Sequence, residues 1–392
     1  MASVPQVDLS RLGTQPVSTE PYISPGFFEL ERDRIFRRVW LFALRVEEIP
    51  QPGDFVVKDF DICGASVLLA RGKDENVRAF HNVCSHRQAK LVWEDRGKRS
   101  GFTCRYHGWG YGLTGELRSV PDEASFYDLD FEACSLTPIH VDTWNGFVFV
   151  NFSTKPEQSL GEYLAPIAAK LNEHSFADRP SCVVLTAEID VNWKAMLDNF
   201  QETYHLSFIH RFSVGDRAVA PANPFGHPLD FRLFGPHHFM SIWGNPAHKP
   251  APIEGLAGRF GGVSGAGATQ QTERYRSIRD PNWQLDVHGI FPNLLLEVAP
   301  TFFYAIELIP ISPTRTRWIS HHYLPKAENP CQRFSQEYNI AAFRDTVAED
   351  LAVLGTLQAS MMSGARRSIH FQSHEVLCRH SYNTVERYVR EK

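Results

Sequence analysis

Apolar positions fall into three regimes along the 392 residues. Between Glu20 and Trp40, Phe27, Phe28, Leu30, Ile35, Phe36 and Val39 recur at near-helical spacing among charges, after Ser24-Pro25. This spacing predicts a pair of amphipathic helices. From Phe55 to Phe152 the pattern changes to short runs rich in Val, Phe and Thr, broken by Gly, Asp and Asn, as in Ser66-Val67-Leu68-Leu69 and Gly146-Phe147-Val148-Phe149-Val150. Such runs predict a small all-β domain. The rest is mixed. Leu160–Leu171 reads as a helix, Val183–Asn192 as an alternating strand and Trp193–His210 as a helix. Strand-like runs at 293–298, 302–306 and 317–320 lead to one long helix over Glu337–Met362. The six glycines of Gly255–Ala268 predict a mobile loop.

Composition narrows the classes. Apolar residues make up 43% and charged residues 22%, which describes a folded globular chain, and the length exceeds what one core usually serves. Net charge is −5 and no Lys/Arg run is long enough to track phosphates, so nucleic acid is not an expected partner. No apolar run approaches the roughly 20 residues that span a bilayer, and the N-terminus has no basic start with an apolar stretch, so the expected location is the cytoplasm. Seven scattered cysteines do not make a disulfide framework. Cys63, Cys134, Cys182, Cys331 and Cys378 read as small buried hydrophobes, whereas Cys84 and Cys104 stand apart by their neighbours.

Cys84-Ser85-His86 and Cys104-Arg105-Tyr106-His107 give CxH, seventeen residues, then CxxH. Two thiolates can hold one iron of a [2Fe-2S] unit and two imidazoles the other, and neutral imidazole in place of thiolate raises the reduction potential. A Cys2His2 zinc site is the rival reading. Zinc spacings more often pair Cys with Cys and His with His, while here each loop supplies one of each. Gly108 and Gly110 suit a close backbone approach, and Tyr106, Trp109 and Tyr111 can shield a cluster from water. The words Phe80-His81-Asn82-Val83-Cys84-Ser85-His86-Arg87 and Cys104-Arg105-Tyr106-His107-Gly108-Trp109-Gly110-Tyr111 closely resemble the Rieske domain of ring-hydroxylating oxygenase large (alpha) subunits.

Electrons held on such a cluster need a destination. His205 and His210, five apart, can meet one metal if a helix unwinds or ends between them, and a carboxylate from elsewhere would complete a 2-His-1-carboxylate face with positions left open for O2. The segment from Asn192-Trp193-Lys194 through Asp198-Asn199-Phe200-Gln201-Glu202-Thr203-Tyr204-His205 to His210 resembles the iron-binding segment of the same family. By that resemblance the carboxylate is Asp350, with Gln358 eight residues on, and Glu349 and Asp345 as rivals. The resemblance also places Glu202 as the acidic link between the mononuclear iron and a Rieske histidine of the neighbouring chain, so that His107 and Glu202 form the two sides of a junction. Many ring-hydroxylating members have Asp there, and Glu is familiar among relatives that oxidise choline, carnitine and betaines. Asn199 and Tyr204 are candidates for positioning the iron ligands or lining the substrate channel, and packing accounts for them equally well.

The resemblance implies an α+β fold: N-terminal helices (1–42), an all-β Rieske domain (43–157), and a helix-grip catalytic domain (158–392) with an antiparallel sheet and long helices. It implies two cofactors, a [2Fe-2S] Rieske cluster and a mononuclear Fe(II). It further implies an NAD(P)H-dependent reductase, with or without a ferredoxin, and a homotrimer in which a small beta subunit is not excluded. Gly110-Tyr111-Gly112-Leu113-Thr114-Gly115 has the G-x-G-x-x-G spacing but falls inside the all-β block, not between a strand and a helix, so it is no Rossmann fingerprint and the nicotinamide site is expected on another protein. The pocket is expected to be lined by the Phe200–Ser213 segment, Pro224–Trp243, the glycine-rich loop and the strands around Phe291–Ile306. Phe208, Phe225, Phe231, Phe234, Phe239 and Trp243 in that region suggest apolar walls and hence hydroxylation of an aromatic or other hydrophobic molecule. The runner-up is oxidative demethylation of a quaternary ammonium compound in an aromatic cage. A third reading is a Rieske electron carrier whose C-terminal part only binds a ligand.

Overall fold

In the computed structural model, the described residues are 12–391 except 173, 175, 178, 212, 262–279, 300 and 301. The chain forms two compact units, one from Arg32 to Tyr163 and the other combining the segment ending at Glu31 with the chain from Leu164 onward.

The first unit is β throughout its ordered core. A seven-stranded antiparallel sheet runs in the order Leu41–Arg45, Phe147–Asn151, Pro138–Trp144, Val77–His81, Ala65–Arg71, Asp54–Phe60, Arg96–Lys98. A three-stranded sheet joins Phe102–Thr103, Gly110–Tyr111 and Leu117–Ser119. Phe55, Leu68, Phe80, Leu91, Val92 and Phe102 pack in a core that also contains Cys84, Cys104, Trp109 and Tyr111. The two cysteines thus lie inside the apolar core of this unit.

The second unit is built on a seven-stranded antiparallel sheet in the order Ser181–Ile189, Arg315–Leu324, Phe303–Ser312, Leu294–Val298, Trp283–Ile290, His237–Trp243, Asp230–Phe234. The central strands are buried almost throughout, which is why they read as apolar runs rather than alternating ones. A helix over Trp193–Phe200 starts at Asn192, whose side chain accepts from the Lys194 amide. The long helix spans Pro330–Met362 and begins earlier than its apolar period suggests, with Asn329 as a side-chain cap and Pro330 in the first turn. A C-terminal helix covers Val376–Glu391.

Two expectations are corrected here. The glycine-rich segment is helical over Pro252–Gly261 and packs on the long helix, because tertiary contact overrides glycine's low helix propensity; its remainder, from residue 262, lies outside the described residues. Cys182 and Cys331 are exposed rather than buried.

The N-terminal segment is bound into the second unit by polar contacts. Lys194 Nζ donates to Glu31 Oε1 at 2.6 Å and Trp193 Nε1 donates to Glu31 Oε2 at 3.1 Å, all in a buried setting. Tyr22 Oη donates to Asp198 Oδ2 at 2.8 Å. The Gln358 side chain accepts from the Asn192 amide at 2.9 Å and donates to the Tyr22 carbonyl at 3.2 Å. Among the described residues, no helix is long and apolar enough to cross a membrane.

Candidate functional site

The two Cys/His loops are built alike. In each, the cysteine carbonyl accepts from the amide four residues on, Gln88 at 3.0 Å and Gly108 at 3.0 Å. The cysteine amide donates to the carbonyl five residues on, Ala89 at 2.9 Å and Trp109 at 2.8 Å. Closing such a turn requires a left-handed residue, supplied by Gly108 at φ +75° and by Gln88 at φ +57°. Cys84 and Cys104 are each 2% exposed, while His107 faces outward and His86 is half-buried. The imidazoles lie with ring centroids 4.5 Å apart, and His86 stacks on Trp109 at 5.0 Å with planes 7° apart. Thiols inside and imidazoles outside give a cluster one protected edge and one edge open to electron exchange. The donors fit the group: His86 Nδ1 is buried without a hydrogen-bond partner among the described residues.

The second constellation lies past a helix end. The helix stops at Phe200, before both histidines, and a short 3-10 turn over Tyr204–Ser207 carries His205. His205, His210 and Asp350 each offer one ligand atom, and these atoms all lie within 4.8 Å of one another. Asp350 Oδ1 sits 3.0 Å from His210 Nε2 and 3.6 Å from His205 Nε2, outside hydrogen-bond geometry and buried. Three donors aimed at one point with their outer atoms unsatisfied are what a metal ion would satisfy.

Carboxylates hold the far side of both imidazoles. His205 Nδ1 donates to Glu202 Oε1, and Glu202 Oε2 also accepts from the Tyr204 and His205 amides. His210 Nδ1 donates to Glu349 Oε2 at 2.7 Å, and Ser213 Oγ donates to the same oxygen at 2.6 Å. These contacts fix the tautomer, so both Nε2 lone pairs point toward Asp350. Glu349, a sequence rival for the third ligand, therefore backs a histidine instead. Asp345 is exposed and pairs with Arg344 at 2.7 Å.

The donors border a cavity of about 520 Å3. Asn199 lines it, with Nδ2 buried and lacking a hydrogen-bond partner among the described residues. Tyr204 does not line it; its ring packs on Phe208, Phe225 and His374 at a partly exposed surface. The lining includes the expected segments, through Phe200, Met240, Gly258, Phe302 and Tyr304, but not the six aromatic residues singled out in the sequence. None of Phe208, Phe225, Phe231, Phe234, Phe239 or Trp243 lines the cavity, and Phe200, Trp283, Phe302, Tyr304, Tyr338 and Phe343 do. Strand alternation decides this for Phe239, whose neighbour Met240 lines the cavity, and the long helix adds Tyr338 and Phe343 to the wall.

A cysteine–histidine iron–sulfur cradle in one unit and a 2-His-1-carboxylate centre in the other define an iron-dependent redox protein. Residues 39–141 match the Rieske [2Fe-2S] domain and residues 181–391 match the ring hydroxylating alpha subunit (catalytic domain). The chain belongs to that alpha subunit family. It is 35% identical over 197 residues to the large oxygenase component of the naphthalene 1,2-dioxygenase system of Pseudomonas aeruginosa, covering 48% of this chain and 42% of that one. It is 32% identical over 194 residues to the carnitine monooxygenase oxygenase subunit of Acinetobacter pittii, covering 48% and 51%. The matched stretch thus spans about half the length of these curated relatives. In fold, the chain is similar to a quaternary ammonium Rieske monooxygenase, with TM-score 0.77, 21% identity and coverage of 99% and 100%. A naphthalene 1,2-dioxygenase from Rhodococcus sp. gives TM-score 0.74 at 22% identity, covering 95% and 94%.

Proposed function

We propose that the chain is the terminal oxygenase component of a multicomponent Rieske oxygenase. It would use O2, and electrons from NAD(P)H delivered by a partner reductase with or without a ferredoxin, to hydroxylate a small molecule with an aromatic or otherwise apolar body. The observation that carries this reading is the convergence of His205, His210 and Asp350 at the wall of the cavity, in a chain that also presents two Cys/His loops.

Cys84, Cys104, His86 and His107 would hold the [2Fe-2S] cluster, and His205, His210 and Asp350 the mononuclear iron. When bound, these groups supply one-electron storage and O2 activation, respectively. The protein's own contribution is orientation and exclusion. Glu202 and Glu349 keep a proton on each Nδ1, which leaves Nε2 free to ligate. Phe200, Phe302, Tyr304 and Phe343 keep water from the reacting face and set the substrate against it.

In this reading the chain works as a homotrimer, with His107 of one copy facing Glu202 of the next, and a small beta subunit remains compatible. Support comes from the outward position of His107 and from the exposed rings of Tyr204 and Phe208 beside Glu202. A second reading, oxidation of a quaternary ammonium compound, is favoured by three contiguous rings in the cavity wall: Phe302 to Tyr304 at 4.3 Å and Tyr304 to Phe343 at 4.6 Å.

Iron and acid-labile sulfide per chain, with an electron paramagnetic resonance spectrum of the reduced protein, test the assignment. About three irons and about two sulfides are expected. A protein with only the cluster iron, and no substrate-dependent O2 uptake with reductase present, would be an electron carrier and would end the oxygenase reading.

A further inference from the structure

Glu297 lies in the strand Leu294–Val298, third from either edge of the sheet's inner strands and paired on both sides. Its cross-strand partners are Val287 on one side and Tyr304 on the other, and Val287 in turn pairs with Met240. Residues directly opposite in an antiparallel pair share a face with Cβ atoms about 5 Å apart. Met240, Val287, Glu297 and Tyr304 all line the cavity, so this row forms part of its wall. Glu297 is half-buried against the cavity, where a carboxylate is costly to desolvate and adds nothing to packing that a leucine would not.

The charges around the cavity can be paired off. Arg217 meets Glu254 at 2.9 Å, and His248 meets the same carboxylate at 2.9 Å and Asp216 at 3.0 Å. Glu202 is engaged by His205, and His205, His210 and Asp350 face one another. Glu297 is left over: among the described residues it has no hydrogen bond and no ion pair. Burial, and then the charge of Asp350, push its carboxyl up to about 7. A cation placed beside it would relieve that penalty, and the rings of Tyr304, Phe302 and Phe343 stand next to it in a group whose faces also favour cations.

We infer that Glu297 is a specificity-determining residue, and that the substrate carries a cationic nitrogen which the Glu297 carboxylate and the adjoining aromatic rings hold beside the iron site. The inference rests on the oxygenase reading and narrows its substrate from any apolar molecule to an amine or quaternary ammonium with an apolar body. It places recognition on a residue that is neither an iron ligand nor a backing group for one.

The test uses a pair of probes of equal shape, benzyltrimethylammonium and neopentylbenzene, in which one nitrogen cation replaces one carbon. Dissociation constants are measured calorimetrically on iron-loaded full-length protein without reductase, alongside iron content. Wild type should bind the cation about tenfold or more tightly than the hydrocarbon. E297Q, which keeps the shape, should erase most of that ratio, and E297L should reverse it. A general packing defect would weaken both probes together, so the ratio separates recognition from structure. A wild-type ratio near one, or a ratio that E297Q leaves intact, overturns the assignment. With three irons still present, that result leaves the oxygenase reading standing. Two irons per chain overturn that reading, and the assignment falls with it.

Discussion

Asp350 and Glu349 are neighbours on one helix and meet opposite nitrogens of one imidazole: Asp350 Oδ1 lies 3.0 Å from Nε2 of His210, and Glu349 Oε2 accepts from its Nδ1 at 2.7 Å. Successive helical side chains diverge by about 100°, so the ring is gripped as a wedge between them. Each acid has its own consequence. Asp350→Ala should lower iron from about three per chain to about two, with sulfide and the cluster signal unchanged. Glu349→Gln should keep the site but weaken iron binding about 10- to 100-fold, read by chelator competition. Equal loss in both variants would contradict the separation of roles.

Glu202→Gln separates holding from delivery. Iron affinity should weaken about 10- to 100-fold, as for Glu349→Gln, but with iron restored by excess Fe(II) the lost charge should still slow reoxidation of the reduced cluster about 10- to 100-fold in the presence of substrate and O2. Stopped-flow absorbance of the cluster reads this rate. Wild-type reoxidation with iron in place would remove Glu202 from the path.

The Ser85 amide donates to Tyr111 Oη at 3.0 Å, which leaves the phenol proton for Cys84 Sγ, 3.3 Å away. A hydrogen bond to a ligand sulfur favours the reduced, more negative cluster. Tyr111→Phe should therefore make the potential more negative by roughly 40 mV, the equivalent of about 1 kcal/mol for one electron. A redox titration followed by electron paramagnetic resonance measures the shift, and an unchanged potential would show that this contact does not tune the cluster.

Lys194 and Glu31 form a buried pair, and removing one partner strands the other. Lys194→Met should cost about 3–5 kcal/mol in chemical unfolding, and the double variant with Glu31→Gln should regain much of it. A double variant as unstable as the single one would mean that the charge pairing is not what matters there.

The candidate donor sets are legible because metals need particular donor types at short spacings: CxH and CxxH can be picked out without knowing the fold. Asp350 was reachable only through resemblance, since nothing in the sequence distinguishes it from Glu349 beside it; the difference is which nitrogen of His210 each one meets. The cavity wall is legible by segment, at Phe200 and at Phe302 and Tyr304, but not ring by ring, for a related reason. Phe239 and Phe343 are equally apolar letters, and only the facing of the strand and the position of the long helix decide which lines the cavity. Glu297 follows Leu294-Leu295-Leu296, and a strand buried on both faces carries no alternation to tell which way an odd residue points. The glycines of Pro252–Gly261 suggested a loop because the helix they form depends on a partner far along the chain.

The same dependence on distant partners governs how the chain must be made. Glu31 finds Lys194 163 positions later, and the Tyr22 carbonyl finds Gln358 336 positions later. During synthesis residues 20–31 emerge well before Lys194 and Gln358, the partners that hold this segment. The all-β unit lies between and can fold while they wait, so for most of translation Phe27 and Phe28 stand uncovered. The segment 20–31 is therefore open to misassociation until those partners are made, and a chaperone that shields it should raise the yield of folded protein more than one that acts only after Gln358 has emerged.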